Sequence, residues 1–237
     1  MDIIRLTTKS NMIDIHTHIL PFIDDGCKTE AEAFSLLKEE EDLGVTDIIL
    51  TPHYQPTTYE KSVSDIKTAF EEFKKKASKI TKINLYLGLE IYDDEILKED
   101  DLSSFSLASS DFYLQELPLE NSLENISEIL YLYKRHKKKI VLAHVERYDI
   151  DKKSLTVLKE KAMFQVNAST VVGHGTLKER KRAKWLLKND LVDFVASDLH
   201  YSRFNYLKQA YDFVKRKYGE NRAERLFKLN AQEFLLK

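Results

Sequence analysis

Seven short apolar runs in this 237-residue chain each end at a side chain able to do chemistry, and helical stretches separate them. The first, from Met12, delivers His16 and His18, stops at Pro21, and is followed by Asp24, Asp25 and Gly26. Thr46–Thr51 ends at Pro52-His53, Ile83–Leu89 at Glu90, and Asp111–Gln115 at Glu116. Lys139–Ala143 ends at His144, Met163–Val166 at Asn167, and Leu191–Ser197 at Asp198-Leu199-His200. Strands alternating with helices imply a parallel sheet covered by helices. In a closed barrel the strand carboxyl ends converge on one mouth, where catalytic groups collect. An open doubly wound sheet would place ligands in a single crevice instead. The expected fold is therefore α/β: a distorted TIM-like barrel of about seven parallel strands with outer helices, irregular because it is one strand short of eight.

The helices announce themselves between these runs. Thr29 and Glu32 have capping-box spacing, and the helix that follows carries Phe34, Leu37 and Leu43 to a stop at Gly44. Ile66, Ala69, Phe70, Phe73 and Ala77 make one apolar stripe. Asn121 to Lys137 reads as a helix with Leu123, Ile126, Ile129, Leu130 and Tyr133 inward. Helices over about Arg203–Lys217 and Asn221–Leu236, with Gly219 between them, close the chain.

Composition narrows the function classes. Lys+Arg 37 against Asp+Glu 39 leaves a formal charge of -2, so no bulk field draws the protein to nucleic acid or to a membrane surface. The single Cys27 excludes an internal disulfide framework and suits a reducing compartment. The opening residues lack the apolar core of a signal peptide, and no apolar run reaches a membrane span. The expected location is cytoplasmic.

At the expected mouth stand His16, His18, Asp25, His53, Glu90, Glu116, His144, Asp198 and His200, which include five of the seven histidines. Strand-end polar residues often cap the next helix, which accounts for Asp or Ser but poorly for five histidines. His136 and His174, in charged or loop settings, read as solvated. Imidazoles and carboxylates without thiolate suit Mn²⁺, Fe²⁺ or Zn²⁺. Nine donors exceed the needs of one ion, and carboxylates can bridge neighbours, so a cluster of two or three metals is expected.

The ordered motifs DIHTH…DDG, TPH, GLE, QELP, AHVERY and ASDLH resemble the polymerase-and-histidinol-phosphatase (PHP) family. More narrowly, the chain is similar to the manganese-dependent protein-tyrosine phosphatases found with bacterial capsular and exopolysaccharide synthesis genes. The resemblance covers residues 12–237 and leaves 1–11 as an N-terminal extension. It implies a distorted barrel and one metal held by His16, His18, Glu90 and Asp198. It implies a second held by Glu90, Glu116 and His144, and a third held by Asp25, His53 and His200. Mn²⁺ is the implied ion, with Fe²⁺, Zn²⁺ or Mg²⁺ able to replace it. On its own each of Arg147 and Arg203 reads as a surface arginine; the resemblance makes both phosphate contacts. Asn167 is a further candidate near the metals. The implied reaction is phosphotyrosine hydrolysis by a metal-activated hydroxide. The implied partner is a tyrosine autokinase that regulates polysaccharide export.

Rival chemistries leave traces here that can be checked. A cysteine-dependent tyrosine phosphatase needs an arginine six residues after its nucleophile, and position 33 is Ala. Amidohydrolases commonly use a carbamylated lysine at the fourth strand end, where this chain has Glu116. A histidinol-phosphate phosphatase would share the metals and differ only at the substrate rim. A catalytically inactive binding module would have lost ligands, and none is lost.

Overall fold

The structure, a computed structural model, describes residues 11–92, 94–99, 101–120, 123 and 126–236. Residues 1–10, most of the expected N-terminal extension, lie outside them. Nine strand segments are present: β1 (Met12–Thr17), β2 (Val45–Leu50), β3 (His53–Tyr54), β4 (Asn84–Leu87), β5 (Glu90–Tyr92), β6 (Phe112–Glu116), β7 (Lys139–Leu142), β8 (Met163–Asn167) and β9 (Phe194–Ala196). All of their pairings are parallel. They form two ribbons, β1-β2-β4 and β3-β5-β6-β7-β8-β9. The ribbons are one barrel, because β2 continues as β3 and β4 continues as β5 after short interruptions.

Chemistry explains both breaks. Pro52 has no N–H to give to a ladder, yet its carbonyl still accepts from Glu90 N–H at 3.1 Å. At Gly88 a side chain would meet Leu107 Cδ2 at 2.7 Å, so any larger residue would force Leu107 to shift where the strand is interrupted. Closure runs from β9 back to β1 through the Thr17–Leu199 bridge and two backbone hydrogen bonds, Asp198 N to His16 O at 3.0 Å and His18 N to Leu199 O at 2.9 Å. The seven strands expected from sequence are thus present as nine segments.

The register between β1 and β2 slips at the functional end. Asp14 pairs with Ile48 and Thr17 with Leu50, so β1 spends three residues where β2 spends two. A bulge of this kind re-aims side chains. Ile15 joins the inner apolar cluster with Ile13, Leu114 and Val141, while its neighbour His16 enters the site. Regular alternation therefore does not place His16; the bulge does.

The outer helices differ from expectation mostly at their ends. The helix Glu30–Leu43 has the full Thr29/Glu32 capping box and stops at Gly44 in the left-handed region. The helix expected from Asn121 is Ile126–Arg135 in the described residues; Asn121 lies outside them, and Leu123 is exposed rather than inward. The helix expected from Arg203 begins at Leu207, because Asn205 Oδ1 accepts from Leu207 N–H and starts it there. The closing segment is interrupted by a π turn, Arg225–Leu229. Its Asn230 donates to the Asp193 carbonyl ahead of β9, so this helix closes the end opposite the strand tips. No helix among the described residues is long and apolar enough to cross a membrane.

Behind β1 lies a buried carboxyl pair. Glu40 accepts from Asn205 Nδ2 at 2.6 Å, and the Asp14 carboxylate is close enough for its charge to act on it. Burial, with the Asp14 charge added, holds the Glu40 carboxyl well above its ordinary value, and Glu40 Oε2 and Asp14 Oδ2 are buried without a hydrogen-bond partner. The unfolded chain gives up this proton at ordinary carboxylate pH, whereas the folded chain retains it. Stability is therefore full below that pH and is lost as pH rises through the raised folded value. Glu40→Gln keeps the acceptor for Asn205 and supplies an N–H for Asp14. It should raise stability at pH 7 to 8 by about 1–3 kcal/mol and flatten the pH dependence in urea unfolding. A variant less stable than the parent at pH 8 would refute the protonated pair.

Candidate metal centre

Strand ends and the loops that follow them bring together every donor expected from the sequence: His16, His53, Glu90 and Glu116 lie in β1, β3, β5 and β6, and His18, Asp25, His144, Asp198 and His200 in loops. His16 Nε2, His18 Nε2 and Glu90 Oε2 form a triangle with sides of 3.1, 3.2 and 3.2 Å. Asp198 Oδ1 lies 3.8 Å from His16 Nε2 and 3.6 Å from His18 Nε2. On the other side of Glu90, His144 Nε2 is 2.9 Å from Glu90 Oε1 and 3.4 Å from Glu116 Oε1. Asp25 Oδ1 lies 3.3 Å from His200 Nε2 and 3.6 Å from His53 Nε2. The other nitrogen of His53, Nδ1, is 3.1 Å from Glu90 Oε2, so this ring stands between two donor groups.

Three of the imidazoles have their tautomer set from outside. His18 Nδ1–H donates to Asp24 Oδ2 at 2.7 Å, His16 Nδ1–H to Gln165 Oε1 at 3.2 Å, and His200 Nδ1–H to the Asp198 carbonyl at 3.1 Å. With Nδ1 so engaged, each ring turns toward the carboxylates its Nε2, the atom whose lone pair a metal takes in place of a proton; second partners orient metal-bound histidines in this way. Two such lone pairs facing each other at 3.2 Å repel unless a cation lies between them. Donors about 2.1 Å from a shared tetrahedral ion stand about 3.4 Å apart, within the range seen here. Glu90 Oε2, His53 Nδ1 and His200 Nε2 are buried without a hydrogen-bond partner. Several groups here can each hold a divalent ion, and all of these observations fit a multi-metal site.

The electrostatics agree. Burial and the neighbouring Glu90 charge push the Glu116 carboxyl up to about 8. Burial would raise Glu90 too, but His16, His53 and His144 outweigh it and hold it well below the ordinary carboxylate range. Three converging carboxylates call for positive charge. Backbone strain marks the same place: His144 and Asp198 sit at φ 28 and 53, where non-glycine residues persist only if their surroundings hold them. At Gly26 a side chain would meet the His18 carbonyl oxygen at 2.0 Å, so glycine alone lets the Asp24-Asp25 turn fold back.

Arg203 donates to Asp198 Oδ2 at 3.1 Å, and Arg147 approaches the same oxygen at 3.9 Å. Asn167 Nδ2 donates to it at 2.8 Å, which gives Asn167 a definite place. Of the two histidines read as solvated, His174 is exposed and tilts against Tyr206, and His136 is half-buried beside Arg135.

Two residues were passed over in the sequence. Asp24, which the sequence shows only as a turn residue, orients His18 and also accepts from His53 N–H at 2.9 Å. Gln165 accepts from His16 and from His144 N–H at 2.6 Å, and its amide donates to Asn167. The available signal was a polar pair, Gln165 and Asn167, two apart on an otherwise apolar strand.

Comparison with known proteins agrees with this geometry. A family model described as capsular polysaccharide synthesis, CpsB/CapC, matches residues 12–236. The tyrosine-protein phosphatase CpsB of Streptococcus pneumoniae is 32% identical over 243 residues, covering 95% of this chain and 98% of its own. Among solved structures, those of YwqE from Bacillus subtilis and CpsB from Streptococcus pneumoniae are described as unique metal-dependent tyrosine phosphatases. The match to them has TM-score 0.80 and 25% identity, with 90% of each chain covered. A phosphotriesterase homology protein from Escherichia coli, at TM-score 0.65 and 11% identity over 96% of this chain and 99% of its own, shares the fold. With its model matched along nearly the whole chain, this protein belongs to the CpsB/CapC family of capsular polysaccharide synthesis.

Proposed function

We propose that the protein is a metal-dependent protein-tyrosine phosphatase. The observation that carries this reading is the triangle of His16, His18 and Glu90 donors, with two arginines meeting at Asp198 beside it. We assign one ion to His16, His18, Glu90 and Asp198, a second to Glu90, Glu116 and His144, and a third to Asp25, His53 and His200. Mn²⁺ is the expected ion; Fe²⁺, Zn²⁺ and Mg²⁺ also suit nitrogen and oxygen donors. A metal cluster held by these residues would supply Lewis acidity toward a phosphoryl group and toward water.

The chain's own residues do the rest. Arg147 and Arg203 carry planar forks of donors that match phosphoryl oxygens. Asn167 and Arg203 hold Asp198 Oδ2, which keeps Oδ1 toward the histidine pair. Asp24 and Gln165 keep His18 and His16 turned inward. The substrate class follows from leaving-group chemistry and from the relatives, whose names say tyrosine phosphatase. A phenolate leaves with a conjugate-acid pKa of about 10, whereas an alkoxide needs a proton donor. Once metals take the carboxylates and imidazoles of the mouth, the proton that burial keeps on Glu116 would be displaced and no acid would be left for an alkoxide, which favours aryl phosphates. The partner is a phosphotyrosine protein in the cytoplasm, a bacterial tyrosine autokinase of polysaccharide export.

The test is a side-by-side rate of the Mn²⁺-loaded protein on a phosphotyrosine peptide and on histidinol phosphate. The peptide should turn over far faster. Higher catalytic efficiency on histidinol phosphate would replace this reading with a biosynthetic one.

A further inference from the structure

The lip of the mouth is unusually aromatic. Four aromatic side chains are strongly exposed among the described residues: Phe22, Tyr131, Tyr201 and Phe204. Scattered exposed apolar residues are normal on any protein. Here three of the four flank site residues directly. Phe22 precedes Asp24 by two positions, Tyr201 follows His200, and Phe204 follows Arg203.

Their settings point the same way. Phe22 is 58% exposed yet held at φ 68, a conformation that is an outlier for a bulky side chain. Its N–H donates to the Cys27 carbonyl at 3.0 Å, and Cys27 N–H donates to the His18 carbonyl, so the turn that carries Asp24 and Asp25 enforces the strain. Strain of this kind, on a side chain that gains no burial, marks a functional position better than a packing one. Phe204, 62% exposed, lies with its ring 4.7 Å from that of Tyr206, which lies 4.1 Å from His174. This aromatic arc joins the loop after β9 to the turn that follows the short helix Ala168–Val171 beyond β8. On the far side, Tyr59 lies parallel to His53, with centroids 5.6 Å apart and planes within 4°.

We propose that this aromatic lip selects phosphotyrosines flanked by apolar side chains, with Phe22 and Phe204 as the residues that read the flanks. The inference rests on the phosphotyrosine reading above and specifies its substrate. Arg147 and Arg203 grip the phosphoryl group and carry no information about neighbouring residues. Phe22, Tyr201 and Phe204 are exposed on the turns that carry Asp24, His200 and Arg203, so residues before and after a phosphotyrosine held there would pass them. Apolar flanks there cover exposed aromatic surface on both partners, whereas charged flanks would lose water and find no counter-charge on these rings.

The experiment uses the full Mn²⁺-loaded chain and phosphotyrosine peptides flanked by Leu and Phe, by Ser and Gly, or by Glu. Free phosphotyrosine is measured alongside. The apolar peptide should exceed the Ser/Gly peptide by about tenfold in kcat/KM, mostly through KM. Phe22→Ser and Phe204→Ser should each reduce that ratio, and together bring it close to one. Phe22→Gly should reduce the preference as Phe22→Ser does while raising the thermal midpoint, because glycine adopts this φ without strain. Equal efficiency on apolar and Ser/Gly peptides overturns the inference, as does a preference for Glu flanks or a preference that survives the double variant. Failure to hydrolyse free phosphotyrosine and every peptide overturns the phosphatase reading itself.

Discussion

Glu90→Gln is expected to lose turnover by more than about a thousandfold and to lose at least one divalent ion per chain, the largest effect of any single change here. Both oxygens of this carboxylate are committed. Oε2 is 3.1 Å from His16 Nε2, 3.2 Å from His18 Nε2 and 3.1 Å from His53 Nδ1, and Oε1 is 2.9 Å from His144 Nε2. An amide keeps the shape but removes the charge, and it turns one acceptor into a donor facing a nitrogen lone pair. Cys27→Ser is the contrasting case. The thiol is fully buried, burial and the acidic residues Glu32 and Asp24 push it up to about 12, and no thiolate forms near neutral pH. Its turnover should stay within a few-fold of the parent. Elemental analysis and steady-state rates on both variants decide the matter. An active Glu90→Gln enzyme beside an inert Cys27→Ser enzyme would require thiol chemistry and refute the metal mechanism.

Much of this site was legible because barrel topology turns sequence order into spatial convergence. Once seven apolar runs end in donors, parallel pairing brings those ends to one mouth without further information. That is why His16, Glu90, His144 and Asp198, as many as 182 positions apart, could be grouped before any coordinates. Orientation was not legible. Gln165 fixes the His16 tautomer from 149 residues away, and nothing local to either residue records the pairing. The β1 bulge was equally silent. The motif reads as simple alternation, which would pair His16 and His18 on one pleat face, but the strand ends at Thr17 and the slip against β2 re-aims His16. Helix ends erred where side chains overrode periodicity. Asn205, drawn to buried Glu40, delays the helix after β9 and leaves Arg203 in the loop where it reaches Asp198.

Arg203→Ala and Arg147→Ala should each lower kcat/KM on a phosphotyrosine peptide by about a hundredfold, the scale on which one oriented donor to a developing charge is worth 2.7–4 kcal/mol. Metal content should not change, since a guanidinium is a cation with donors only and offers no lone pair to a metal. Lysine at either position should recover only part of the loss, because an ammonium supplies a point charge where a phosphoryl group is met by a fork. The double variant should fall short of the product of the single effects. Both arginines approach Asp198 Oδ2, at 3.1 and 3.9 Å, so removing one already changes what the other holds. Inhibition by inorganic phosphate separates the two roles open to these residues. If they grip the phosphoryl group, phosphate inhibition weakens in step with kcat/KM. If they only steady Asp198, which Asn167 also holds, phosphate inhibition stays at the parent value while metal affinity falls. That second pattern would remove Arg147 and Arg203 from the reaction and leave the metals alone to bind phosphate.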